Sequence, residues 1–254
     1  MPVQPIETGD VLVAVEGPIV TATLNRPSKL NALTQEMYRV LADTVLAAAA
    51  DPQVAAVVVT GNDRAFSAGN DLVDFTSGQG LDQAVRFLEA IASVDVPLVA
   101  AVRGSAIGVG LTMLLHFDLV YVEPTASLAV PFVGLGLVPE AGSSILLPKA
   151  VGERHAADLL LTGRTIDGTT AAEWGLANAA VSPALDAALE AAGRLALQPP
   201  VALRATKALV RSPQTTLAEQ MTDEMTQLVK ALGEAEFAEA IAARREKRAP
   251  DFRR

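Results

Sequence analysis

The spacing of apolar positions changes several times along the chain. Val11–Val15 and Ile19–Leu24 flank Glu16-Gly17-Pro18, which predicts a β-hairpin, and Asn25-Arg26-Pro27 stops its second strand. Met37, Val40, Leu41, Thr44 and Val45 then follow at helical spacing, with Thr34 as N-cap and Glu36 in the first turn. That helix ends near Asp51-Pro52. Val54–Thr60 and Pro97–Val102 are continuous apolar runs, as expected of strands covered on both faces. Between them, Gly61–Asp71 reads as a loop, and Val85, Leu88 and Ile91 mark a helix. Gly104–Gly110 reads as a glycine-rich turn, Leu111–His116 as a short apolar helix and Leu119–Val122 as a strand. Beyond about Leu197 the strand signal stops. Pro199-Pro200 precedes three helical stretches, Val201–Arg211, Thr216–Leu232 and Glu234–Arg248. This predicts an α/β core over 1–198 and a helical region over 199–254. The second is too small for a core of its own and should dock on the first, on another subunit, or on both.

Composition narrows the chemistry. Of 254 residues 50% are hydrophobic but only 4% aromatic, so small aliphatic side chains must fill the core. Lys and Arg total 20 against 29 Asp and Glu, a net charge of −9 that repels polyanions and disfavours nucleic-acid binding. The chain has no cysteine, which excludes disulfides, thiol nucleophiles and thiolate metal sites. Two histidines, His116 and His155, make a multi-histidine metal site hard to assemble, and both read as structural. The start MPVQPIETGD has neither a basic cluster nor an apolar run, and the longest uncharged stretches fall short of the roughly 20 residues a membrane span needs. The expectation is a soluble, cytoplasmic protein without a membrane partner.

Several motifs are absent: the G-x-G-x-x-G order, the phosphate loop ending in Gly-Lys-Ser/Thr, and G-x-S-x-G. What remains is a pair of glycine-containing loops, Phe66–Leu72 and Gly104–Gly110. Each follows a buried strand and leads into a helix, so each can present free backbone N–H groups. Two such donors aimed at one point stabilise a developing oxyanion; ordinary strand-to-helix turns would look the same.

Taken with their neighbours, these loops resemble the crotonase, or enoyl-CoA hydratase/isomerase, superfamily. The resemblance runs through Leu24-Asn-Arg-Pro-Ser-Lys-Leu-Asn-Ala-Leu33, Phe66–Leu72, Pro97–Asp118, Pro131–Ser144, Leu161-Thr-Gly-Arg164 and Ala172-Glu-Trp-Gly-Leu176, in order and at family spacing. It implies a spiral of ββα turns with a C-terminal helical trimerisation region, a homotrimer or dimer of trimers. It also implies an acyl-CoA thioester substrate and no cofactor or metal beyond the coenzyme A of the substrate. The implied oxyanion donors are the backbone N–H groups of Asn70 and Val109. Implied substrate contacts are Lys29, Leu30, Ala32, Ala68, Asp71, Leu72, Gly110, Pro131 and Phe132, with Lys247, Phe252 and Arg253 from the terminus. Asp118 and Trp174 read as structural.

The two glutamates by which hydratases of this family are recognised are missing: Thr112 and Phe132 stand in their places. Thr112 could hold a water, although a helical threonine more often bonds a carbonyl of its own helix. A carboxylate appears instead at Glu140, near Phe132, Leu137 and Val138, apolar surroundings that would raise its pKa. Read by position alone, Glu140 would serve the free N–H groups of a helix starting at Gly142-Ser143-Ser144. Its segment, however, resembles the one carrying the single catalytic glutamate of the peroxisomal-type Δ3,Δ2-enoyl-CoA isomerases. The expected activity is therefore migration of a double bond with one glutamate as base and acid. The alternatives are a hydratase or other acyl-CoA enzyme of the same fold, and a non-catalytic relative.

Overall fold

A computed structural model describes residues 2–62, 64–75, 81–212 and 216–252. The hairpin forms as β1 (Val11–Glu16) and β2 (Ile19–Leu24), antiparallel in register Val11 to Leu24. Parallel strands then add to it: β3 (Ala56–Thr60), β5 (Leu98–Val102), β7 (Leu119–Val122) and β10 (Ala179–Ala180), giving the order β1-β2-β3-β5-β7-β10. A second sheet, β4-β6-β8-β9, is made of very short strands: β4 (Ala65–Ser67), β6 (Ser105–Ile107), β8 (Ser127–Ala129) and β9 (Ile166–Asp167). The chain passes from the first sheet to the second and then into a helix, turn after turn. This is the ββα spiral of the crotonase fold. Gly61–Asp71 and Gly104–Gly110 are thus not simple loops, since each contains a strand too short to show a period.

The helices are α1 (Gln35–Ala50), α2 (Leu72–Phe75), α3 (Asp82–Ser93), α4 (Val109–Thr112), α5 (Ser143–Val151), α6 (Glu153–Thr162), α7 (Gly168–Glu173), α8 (Ala184–Ala196), α9 (Pro200–Arg211), α10 (Leu217–Leu232) and α11 (Ala235–Glu246). Thr34 caps α1 by accepting the Met37 N–H. In α3 the buried side chains are Ala84, Phe87, Ala90 and Ile91, while Val85 faces solvent, so the helix is turned from the face that Val85 would have marked.

The apolar strands are buried on both sides. Val57, Val59, Leu98, Ala100 and Val102 face the main core, and Ala56, Val58, Val99 and Ala101 lie under α8, which packs through Ala184, Ala188 and Ala192. Small residues on both surfaces let helix and sheet approach closely. The helical region is anchored by the cations of α9. Arg204 donates to the carbonyls of Ala49, Asp51 and Val54 at the C-terminal end of α1, where the helix dipole favours positive charge. Lys207 is buried and donates to Val96 O at 2.6 Å. Asp118 accepts from Leu98 N–H, Lys207 and Arg211 at 2.7, 2.9 and 3.0 Å, which ties α9 to two strands. Trp174 stacks on His155 with ring centroids 3.8 Å apart. Among the described residues no helix is long and apolar enough to cross a membrane, and no group of His, Asp and Glu could hold a metal ion.

Candidate active site

Strands β4 and β6 are parallel neighbours, so the loops that leave their C-terminal ends emerge side by side. The contact is close. A Cβ on Gly69, whose φ is +97°, would stand 3.0 Å from Ile107 O, and one on Gly110 would stand 2.7 Å from Ser67 O. The first loop is braced by the segment after β2. Asn31, fully buried, donates through Nδ2 to Ala65 O and Phe66 O, while its Oδ1 accepts from Arg26 N–H and Asn62 Nδ2. Ala68 N–H bonds Leu30 O, Gly69 N–H bonds Ser67 Oγ and Asp71 N–H bonds Leu33 O. Among the described residues the amide of Asn70 is the one left without an acceptor in this run.

The second loop also leaves amides without an acceptor. Gly108 N–H bonds Ala129 O, and the N–H groups of Leu111 and Thr112 return to Gly108 O. Val109 and Gly110, at the first two positions of α4, have no acceptor among the described residues, as the geometry of a helix start requires, and of the two Val109 lines the same cavity as Asn70. Asn70 and Val109 line one cavity of about 150 Å³ together with Gly69, Gly108, Ile107, Phe132, Leu135 and Leu137. Apart from the Asn70 side chain, that lining is apolar.

Glu140 is half-buried and does not line this cavity. Its carboxyl turns away from α5: Ser143 N–H and Oγ bond the Glu140 carbonyl, leaving the side chain free. The Thr112 hydroxyl, one turn along α4 from Val109, donates to Glu140 Oε1. Capping of α5 by the Glu140 side chain, and bonding of Thr112 within its own helix, are both corrected by this contact. Burial pushes the Glu140 carboxyl up from the usual carboxylate range, and the Thr112 hydrogen bond opposes that rise. Leu137 and Val138 are themselves exposed, and Phe132 is buried. Tyr38, on the buried face of α1, donates to Asn70 Oδ1 at 2.5 Å. Burial holds its phenol well above the usual range, and the nearby Glu140 charge adds to the effect. His116 Nε2 contacts Ala141 O at 2.8 Å and fixes the backbone beside Glu140.

The sequence pattern of the enoyl-CoA hydratase/isomerase family matches residues 15–254. This chain belongs to that family. It is 36% identical over 253 residues to a protein of Rhizobium meliloti (strain 1021) named "Probable enoyl-CoA hydratase", covering 96% of this chain and 97% of that one. It is 32% identical to the 1,2-epoxyphenylacetyl-CoA isomerase of Escherichia coli (strain K12), covering 95% and 97%. A solved structure from Magnetospirillum magneticum AMB-1, assigned to the enoyl-CoA hydratase/carnithine racemase group, superposes with a TM-score of 0.92. It is 42% identical and is covered over 97% of this chain and 100% of that one. The chain is thus an enzyme of the enoyl-CoA hydratase/isomerase family.

Against this family frame the expected site residues divide. Asn70, Val109, Ala68, Leu72, Pro131 and Phe132 line the cavity. Lys29, Leu30, Ala32, Asp71, Gly110, Lys247 and Phe252 do not, and Arg253 lies outside the described residues. Leu30 and Ala32 act through their carbonyls, on Ala68 N–H and on Arg26. The Asp71 carboxylate pairs with Arg26 at 2.6 Å and accepts the N–H groups of Val73 and Asp74, which holds its proton affinity low. It is a brace of the first loop, not an open contact. Gly110 is packed against Ser67. Lys247 is exposed at the left-handed C-cap of α11. Tyr38 escaped the sequence reading because a tyrosine on an apolar helical face carries no sign that its hydroxyl has a polar partner.

Proposed function

We propose that this enzyme moves a double bond from Δ3 to Δ2 in an enoyl-CoA, as the peroxisomal-type isomerase branch does, with Glu140 as base and then acid. The observation that carries this reading is one half-buried carboxyl, held by a hydroxyl from α4, next to a pair of loops that each bring a residue with an unbonded amide, Asn70 and Val109, to one cavity. Glu140 takes a proton from C2. The electron pair of that C–H bond delocalises through C1 onto the thioester oxygen and conjugates with the C3–C4 double bond. The N–H groups of Asn70 and Val109 hold the oxyanion of this dienolate. A single donor of this kind contributes about 3–4 kcal/mol to the transition state. The Glu140 carboxylic acid then returns the proton to C4, the C2–C3 double bond forms, and the thioester carbonyl is restored. Atoms balance without water or cofactor.

An apolar cavity supports an unsubstituted acyl chain, and a carboxyl whose pKa is raised by burial supports general acid–base work near neutral pH. A rat relative, 36% identical over 86% of this chain and 58% of its own length, is named enoyl-CoA delta isomerase 2. Hydration is the second reading, favoured by the hydratase names of other relatives. A homotrimer or dimer of trimers belongs to the same reading, and the exposed apolar side chains of α10, Leu217, Met221, Met225, Leu228, Val229 and Leu232, support it. The test is Glu140→Gln assayed with a 3-enoyl-CoA. Turnover should fall by about a thousandfold, the scale of a lost general base, while acyl-CoA binding is kept. Near-normal turnover would remove Glu140 as the base.

A further inference from the structure

We propose that Thr112 is a positioning residue for Glu140: its hydroxyl pins one carboxyl oxygen and leaves the other as the proton-transfer atom. The inference deepens the isomerase reading, and rests on it for the role of Glu140. Its support is a departure from what threonines do elsewhere in this chain. Thr44, Thr162, Thr206 and Thr226 all donate back to the carbonyl four residues earlier in their own helices. Thr112 does not. Its own fourth-preceding carbonyl, Gly108 O, already accepts two backbone N–H groups, and the hydroxyl reaches instead across to residue 140. Thr112 is fully buried, so no water competes for that proton.

The other groups around Glu140 leave it this single donor among the described residues. From α1, Tyr38 has one proton and gives it to Asn70 Oδ1. From the turn after α4, His116 is engaged with Ala141 O, and Arg211 lies on the His116 carbonyl and on Asp118. Asn70 is neutral. A carboxylate with one fixed oxygen loses rotational freedom, so Oε2 keeps one orientation relative to α4 and its Val109 amide. The bond also favours the ionised form, which a base needs before proton abstraction.

The experiment compares wild type, Thr112→Val and Thr112→Ser. Glu140 is titrated by carbon-13 NMR of the glutamate carboxyls, assigned by the signal missing in Glu140→Gln. A hydrogen bond to a charged group corresponds to about one pH unit, so Thr112→Val should move the Glu140 midpoint up by about that much. Thr112→Ser, which keeps the donor, should return it to near the wild-type position. His116 and Tyr38 are present in all three proteins and cancel in the comparison. With 3-enoyl-CoA, Thr112→Val should lose about tenfold or more in kcat and shift the acid limb of the pH profile upward, with KM little changed, and Thr112→Ser should recover both. An unmoved midpoint in Thr112→Val, or a Thr112→Ser protein as impaired as Thr112→Val, would overturn the assignment. If wild type converts no 3-enoyl-CoA but the midpoint still moves, the isomerase reading fails while the pinning of the carboxyl by Thr112 stands.

Discussion

Two carboxylates flank the short helical segment Val109–His116, and their surroundings differ in kind. Asp118, just beyond it, accepts a backbone N–H and two cations, Lys207 and Arg211. Glu140, facing its first turn, accepts one neutral hydroxyl and meets no cation among the described residues. The first carboxylate has its oxygens occupied by the fold and holds α9 against two strands. The second is desolvated, with one oxygen held by a neutral hydroxyl and its proton affinity raised. Removing the first should damage stability and spare the chemistry. Removing the second should do the reverse.

The largest expected effect on folding is at Asp118. Asp118→Ala strands Lys207, which is buried beside it, and should cost about 3 kcal/mol in a denaturant titration. Activity per folded molecule should stay close to wild type. A stable but inactive Asp118→Ala protein would break the contrast. Next in size is the geometry of the amides. In Gly69→Ala the new Cβ meets Ile107 O at 3.0 Å at a backbone angle that disfavours it, so the two loops must shift apart. Steady-state kinetics should show kcat reduced by about 10- to 100-fold, the scale of a small misplacement of catalytic groups. The smallest effect sharpens the comparison through pH. The folded Glu140 carboxyl has a raised pKa, so the native state binds its proton more tightly than the unfolded chain. Stability from this group is full below the unfolded value and falls as pH rises through the folded one. Glu140→Gln should therefore melt at a slightly higher temperature than wild type at neutral pH, and the difference should vanish at acid pH. Melting curves in which the difference grows as pH falls would contradict the sign.

Legibility from sequence followed burial. The strands β3 and β5 were readable because they are covered on both faces, which writes them as unbroken apolar runs. Strands β4 and β6 were not, because three residues cannot express a period, and glycine around them looks like a turn. Helix α8 was unassigned because its buried face is alanine, which contrasts little with its surroundings. In the site, the unbonded amides of Asn70 and Val109 could be located by matching loop to loop, since a free amide depends on chain geometry. The link from Thr112 to Glu140 spans 28 residues and depends on which way a side chain turns; position alone favoured a helix cap instead. Asp71 shows the opposite failure. Its place in the matched loop suggested a substrate contact, but Arg26 had claimed its carboxylate.

The central claim is that a proton moves within the acyl chain and that no water is added. It is tested most directly by incubating the wild-type protein with matched 2-enoyl- and 3-enoyl-CoA thioesters and separating the products by chromatography with mass detection. The account predicts that the 3-enoyl thioester becomes the conjugated 2-enoyl thioester at unchanged mass. A product heavier by one water from the 2-enoyl thioester, with the 3-enoyl thioester left intact, would contradict it.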